Sequence, residues 1–90
     1  MMAFLLALLL AIPSHYLTVI SGRVRTFQTV PEGGQVKIAA GLCPEPGYVF
    51  SHWIVQPVEG GTFDDPTHAV TTFTMGKVDA AIGPACWKPN

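Results

Sequence analysis

Residues 1–12, MMAFLLALLLAI, carry no polar side chain, and beyond them the apolar positions return mostly at every second residue. That period is the signature of a half-buried strand, since successive side chains point to opposite faces. YLTVISG (16–22) is β-branched and closes on Ser21-Gly22. VRTFQTV (24–30) sets Val24 and Thr26 against Arg25 and Phe27, then breaks at PEGG. QVKIAA (35–40) puts Val36 and Ile38 on one face and Gln35 and Lys37 on the other. GLCPEPG (41–47), with two prolines and two glycines, reads as a loop. YVFSHWIV (48–55) is the most apolar strand. QPVEGGTFDDPTH (56–68) reads as a long turn region, AVTTFTM (69–75) alternates again, and VDAAIG (78–83) is the last strand before Pro84.

No window after the apolar leader holds three turns of helical periodicity. Nine glycines and eight prolines cut the chain into pieces of strand length. The pattern predicts an all-β fold: a small antiparallel sandwich or β-grasp-like domain of five to six short strands over residues 15–90, preceded by a short apolar N-terminal segment. Its core is expected from Val36, Ile38, Tyr48, Phe50, Trp53, Phe73 and Met75. Phe50 and Trp53 pose a geometric problem, because residues three apart on a regular strand face opposite sides. Both rings can enter one core only if an extra residue bulges out at Ser51-His52. His52 then points to solvent. A surface patch centred on Trp53 is the competing reading.

The leader is too short to span a bilayer, which takes about 20 apolar residues, and has the length of a secretory h-region. Pro13-Ser14 follows it as a helix breaker and a small residue, so residues 1–14 are expected to be a signal peptide, although no Lys or Arg precedes the apolar run. The alternative is an uncleaved apolar anchor extending to Ile20, which touches the membrane or a partner's helices. An exported chain fits the two cysteines, Cys43 and Cys86, which are expected to form a disulfide. Two buried free thiols are what a cytosolic location would require.

Charge and chemistry narrow the function. Charged residues make up 12% of the chain against about 25% in an average globular protein, and the net charge is −1. Without a basic face there is nothing to neutralise phosphates, so nucleic acid is not an expected partner. Cys43 lies between Leu42 and Pro44 with no cationic neighbour to stabilise a thiolate, which argues against pairing with His52 or His68 as a nucleophile. Asp64, Asp65 and Glu59 surround Gly60-Gly61, but their spacing matches no calcium loop, and Asp-Asp-Pro equally starts a turn. His15, His52 and His68 lie far apart, and no C-x-x-C pair accompanies them. No metal, cofactor or catalytic residue is expected. Trp87, beyond the last expected strand, is the candidate partner-binding residue; as a plug over the core it would be buried, as an anchor exposed.

The order YLTV, PEGGQVKIAA, EPGYVFSHW, DDPTHAVTTFTM, VDAAI resembles one unit of the divergent internalin-type B-repeat family over about residues 16–82. Gly34, Val36, Ile38 and Ala40 match its second part. Pro44, Gly47, Tyr48, Phe50 and Trp53 match the third, Thr72, Phe73, Thr74 and Met75 the fourth, and Asp79 opens the last. Cys43, Cys86 and the Gly83-Pro84 interruption depart from the pattern. The resemblance implies a structural or binding module without catalytic residues. The expected function is therefore a non-enzymatic, secreted or envelope-associated module of a bacterial surface or extracellular assembly, with a protein or cell-surface polymer as partner. The alternative is a membrane-anchored accessory subunit that retains residues 1–20.

Overall fold

The computed structural model describes residues 12–89, so the leader expectation, in its residues 1–11, lies outside the described residues. Among the described residues seven strands run in chain order: β1 (Ser14–Ser21), β2 (Val24–Pro31), β3 (Gln35–Ala39), β4 (Val49–Gln56), β5 (Gly61–Phe63), β6 (Val70–Met75) and β7 (Ala80–Trp87). A single 3-10 turn, Val58–Gly60, leads into β5. No helix there is long and apolar enough to cross a membrane. Ser14–Ile20, the last part of the alternative anchor, belongs instead to β1, whose Leu17 is wholly buried.

The strands form a four-stranded sheet in the order β2-β1-β7-β4 and a three-stranded sheet in the order β3-β6-β5. The fold is all-β, as the sequence pattern predicts, with one strand more than expected. β5 is three residues long and lies inside the 56–68 stretch, too short to show any period. Most neighbours are antiparallel, but β1 and β7 run parallel, pairing Leu17 with Ala80 and Val19 with Ile82. That pairing closes the chain on itself and carries the longest sequence separation in the fold.

The core lies between the sheets. Leu17, Val30, Trp53, Ala80 and Ile82 come from the first, and Ile38, Phe73 and Met75 from the second. A stacked run of rings passes from Phe50 to Trp53 (6.0 Å between centroids), on to Phe63 (6.0 Å) and to Phe73 (5.1 Å). These are the offset and tilted geometries that aromatic quadrupoles favour.

The last strand runs further than its sequence suggests. Gly83-Pro84 reads as a stop, yet β7 continues to Trp87. The reason is the hydrogen-bond phase. Trp53 faces Pro84 across the ladder, and the Trp53 amide donates away from β7, to the Pro66 carbonyl at 2.7 Å. The pair is therefore a non-hydrogen-bonded one, and the Pro84 nitrogen faces away from β4. On that side the β1 ladder has already ended at Val19–Ile82, so no donor is missed.

Candidate interaction surface

β4 settles where the GYVFSHWIV side chains go. The register pairs Phe50 with Cys86 and His52 with Ala85, which leaves Ser51 as an extra residue squeezed out of the ladder. The bulge restores phase, so Phe50 and Trp53 both turn inward, with Trp53 buried and Phe50 packed against the core. His52 is exposed, and its Nδ1 meets the Ser51 hydroxyl at 2.9 Å. Trp53 is a core residue rather than the centre of a surface patch.

Of the other expected core residues, Ile38, Phe73 and Met75 are buried and Val36 is half-buried against them. Tyr48 is not in the core: it is 39% exposed. The β4 ladder starts only at Val49, so nothing aligns Tyr48 with the inward face, and its amide instead closes a turn onto the Glu45 carbonyl. The ring borders a hollow of about 270 Å³ beside Cys43, Pro44 and Cys86. Cys43 and Cys86 are joined, S–S 2.03 Å with Cα atoms 6.3 Å apart, tying that loop to the end of β7. Trp87 is 53% exposed at the last position of β7, so it does not plug the core.

The acidic loop is spent on its own turn. The Asp65 carboxylate accepts from the Thr67 hydroxyl (2.7 Å) and the Thr67 amide (3.0 Å), and the Asp65 amide donates to Thr71 Oγ1. Those two Thr67 bonds, and after them the nearby His68, hold the Asp65 carboxyl below its ordinary range despite an opposing desolvation. No group of three potential metal ligands occurs among the described residues. The sequence reading gave His15 no role. In the fold its Nε2 lies 2.9 Å from Glu32 Oε1, bracing β1 against the turn after β2, a contact only tertiary structure creates.

The two outer faces differ in kind. On the three-stranded sheet the outward positions are mostly polar: Gln35 and Lys37 on β3, Thr72 and Thr74 on β6 and Thr62 on β5, with Ala39 and Val70 as the apolar exceptions. On the four-stranded sheet the same alternation puts apolar side chains outside. Tyr16 and Ile20 from β1 and Phe27 from β2 share that face with Ile54 from β4 and Trp87 from β7. Tyr16 is 69%, Phe27 74% and Ile54 43% exposed. Ala81, Gly83 and Ala85 form a low floor along β7, and between Ile20 and Ile54 it dips into a depression of about 230 Å³. No carboxylate or lysine stands on these strands' outer positions; the polar side chains there are Thr18, Thr29, His52 and Gln56, and the one formal charge is Arg25 at the β2 edge. An exposed apolar face with a single formal charge marks an interaction surface more often than a solvated one.

No curated protein and no solved structure matches the chain. A family model described as the divergent InlB B-repeat domain matches residues 16–85, from Tyr16, the third residue of β1, to Ala85, just past the Gly83-Pro84 step of β7. Domains of this type are typically non-enzymatic extracellular or surface modules, and a disulfide between Cys43 and Cys86 suits an extracytoplasmic location. The chain belongs to the divergent InlB B-repeat family.

Proposed function

We propose that this domain is an exported, non-catalytic binding or structural module of a bacterial cell envelope or extracellular assembly, and that it meets its partner with the outer face of the four-stranded sheet. The observation that carries the reading is the contrast between the two outer faces. One carries Gln35, Lys37, Thr62, Thr72 and Thr74 with Val70 as its one large apolar residue; the other exposes Tyr16, Phe27, Ile54 and Trp87, with Arg25 as its one formal charge and Thr18, Thr29, His52 and Gln56 as its other polar groups. Covering such a face with a partner removes its apolar area from water, the dominant favourable term in most protein association. Depletion of charge at the centre with aromatics around it is the composition of an interface core.

Expression of the full chain in a bacterium, followed by fractionation and thiol labelling, tests the reading. The expected result is an extracytoplasmic protein whose cysteines are both blocked, retained in an envelope or extracellular complex. Ile54→Lys should leave export and the disulfide intact while abolishing that retention. A cytoplasmic protein with two reactive thiols, or retention indifferent to Ile54→Lys, overturns it.

A further inference from the structure

We propose that the free edge of β2 is a strand-addition site, which takes an extended segment of a partner protein, antiparallel to β2 and with a carboxylate opposite Arg25. The hydrogen-bond phase of the β1–β2 ladder locates the site. The Glu32 amide donates to the Pro13 carbonyl at 3.0 Å, one step beyond the Ser14–Pro31 pair, so that step is a hydrogen-bonded position. Counting back by twos, Val30, Gln28, Thr26 and Val24 are the residues that bond to β1. The Tyr16 amide agrees with this phase, since it donates away from β2, to the Asp79 carboxylate at 2.8 Å. Arg25, Phe27 and Thr29 therefore aim their N–H and C=O groups outward in the plane of the sheet, where no strand lies beside β2 among the described residues. Pro31 closes the row: it has no N–H, and its carbonyl accepts from Gly34 at 2.8 Å. Alternate residues with both backbone groups free are the template that an extended chain completes.

Val24 to Thr29 are all exposed, and the register with β1 runs without a bulge from Ser14–Pro31 to Ser21–Val24. Sheet edges are ordinarily blunted by lysine, proline, a bulge, short length or a covering loop. The other edges have such devices: the Trp53 amide of β4 donates to Pro66 in the loop before β6, β3 carries Lys37 at its centre, and β5 is three residues long. Val24–Val30 has none of them. Charge then names the chemistry of the occupant. Arg23 and Arg25 stand at one end of this edge, and no carboxylate lies within residues 16–31. A strand paired antiparallel sets alternate residues opposite Thr29, Phe27 and Arg25 in that order, with their side chains on the same face. A β-branched residue, an apolar one and a carboxylate are the complement, the last pairing with the guanidinium. The β2 of a second copy has no carboxylate to place there, which favours a foreign strand. Backbone groups at the edge carry this site, so it goes beyond the reading of the apolar outer face.

Titration of the disulfide-bonded full chain with the end-blocked peptide Val-Thr-Thr-Val-Thr-Glu-Val, followed by amide exchange, tests the site. Bound antiparallel, the peptide sets its second residue opposite Thr29, its fourth opposite Phe27 and its Glu opposite Arg25. At saturation the Arg25, Phe27 and Thr29 amides should exchange at least about tenfold more slowly, while those of Thr26 and Gln28, already bonded to β1, change little. N-methylation of the fourth peptide residue should abolish binding, because its amide faces Phe27. N-methylation of the third, whose amide faces away, should leave binding intact. Thr29→Pro removes a free donor without costing a ladder bond, so the fold should hold and the peptide be lost. Arg25→Glu, which serves alone should the proline variant fold poorly, should reject this peptide and accept one with Lys in place of Glu. Ile54→Lys, on the opposite edge strand, should bind the peptide as wild type does, which separates this site from the outer-face reading that the same variant tests. Unprotected amides at the three positions, equal effects of the two methylations, or indifference to Arg25→Glu would overturn the proposal. So would a peptide-free dimer that protects the same three amides, since a second copy would then be the occupant.

Discussion

The indole N–H of Trp53 donates to the backbone carbonyl of His68 at 3.0 Å, across the open edge of β4. The Trp53 amide makes a second bond to the same loop, at the Pro66 carbonyl. One residue thus fills the core and pins the loop that joins β5 to β6. Trp53→Ala should remove about 3–5 kcal/mol, comparable to the whole stability of a domain this small. Trp53→Phe keeps a ring in the stack but leaves the His68 carbonyl without its donor, so a loss of about 1 kcal/mol beyond the packing change is expected. Denaturant melts of both variants check the order. An alanine variant as stable as wild type would show that the ring is not core.

The histidines provide the contrasting case. His52 and His68 are both exposed, and the bond to Trp53 uses the His68 carbonyl rather than its ring. Replacing both by glutamine should shift the melting temperature by no more than about 0.5 kcal/mol would. A larger loss, or a metal-dependent melting temperature present in wild type and absent in the double variant, would reveal a role for the rings.

How much of this was written in the chain follows from the range of the interactions. Strands with a regular period, such as Gln35–Ala39 and Val70–Met75, are legible because alternation is local. The bulge at Ser51 was legible too, since Phe50 and Trp53 cannot otherwise share a side. Tyr48 was misplaced because its apolar neighbours made it look like the first residue of the strand, whereas the ladder partner, Trp87, begins one residue later at Val49. The run of β7 through Pro84 could not be read, since it depends on where β1 stops. The apolar outer face likewise needs the sheet order: Ile20, Phe27 and Ile54 are scattered in sequence and become neighbours only when β2, β1, β7 and β4 line up.

Gly61 marks the tightest passage in the fold. Its φ is 154°, and a Cβ there would collide with the Phe73 ring and the Thr74 carbonyl. Gly61→Ala must displace either the central ring of the core or the β5–β6 ladder, and overpacking of this kind costs about 1–3 kcal/mol. Gly47, also at positive φ, has open space around its missing Cβ and should respond less to alanine. Equal destabilisation by the two substitutions would contradict the packing argument.

Asp65 sets a small acid-side dependence. Its carboxyl is held below the ordinary range, chiefly by the Thr67 hydroxyl and amide. A depressed folded-state value means stabilisation that is complete above the unfolded value, about 3.9 for an aspartate, and that fades as pH falls through the lower folded value. The effect is modest because the group is exposed. A carbon-detected titration of Asp65 should show a midpoint below the ordinary value, and Thr67→Val should move it upward by removing the largest contributor. An Asp65 midpoint unmoved by that substitution would remove the hydroxyl as the cause.

The disulfide should matter most for stability. Cys43 and Cys86 are separated by 43 residues, and closing a loop of that size is worth about 4 kcal/mol on the chain-entropy estimate. A small domain has total stability of about 5 kcal/mol at the low end of the usual range, so the bridge is comparable to the whole margin. Its position adds a local effect. Past Ile82 the strand β7 has β4 as its one ladder neighbour, and Cys86 pairs with Phe50 next to the bulge. Without the bridge, the Pro84–Trp87 end has little to hold it against β4, and the 41–48 loop loses its tie to the sheet. Reduction, verified by thiol titration, should therefore lower the melting temperature strongly. Hydrogen exchange should quicken first at Ala85–Trp87 and Val49–Phe50, with the β3–β6 ladder protected until global unfolding. A reduced protein with an unchanged melting temperature would show that the packing between the sheets suffices alone.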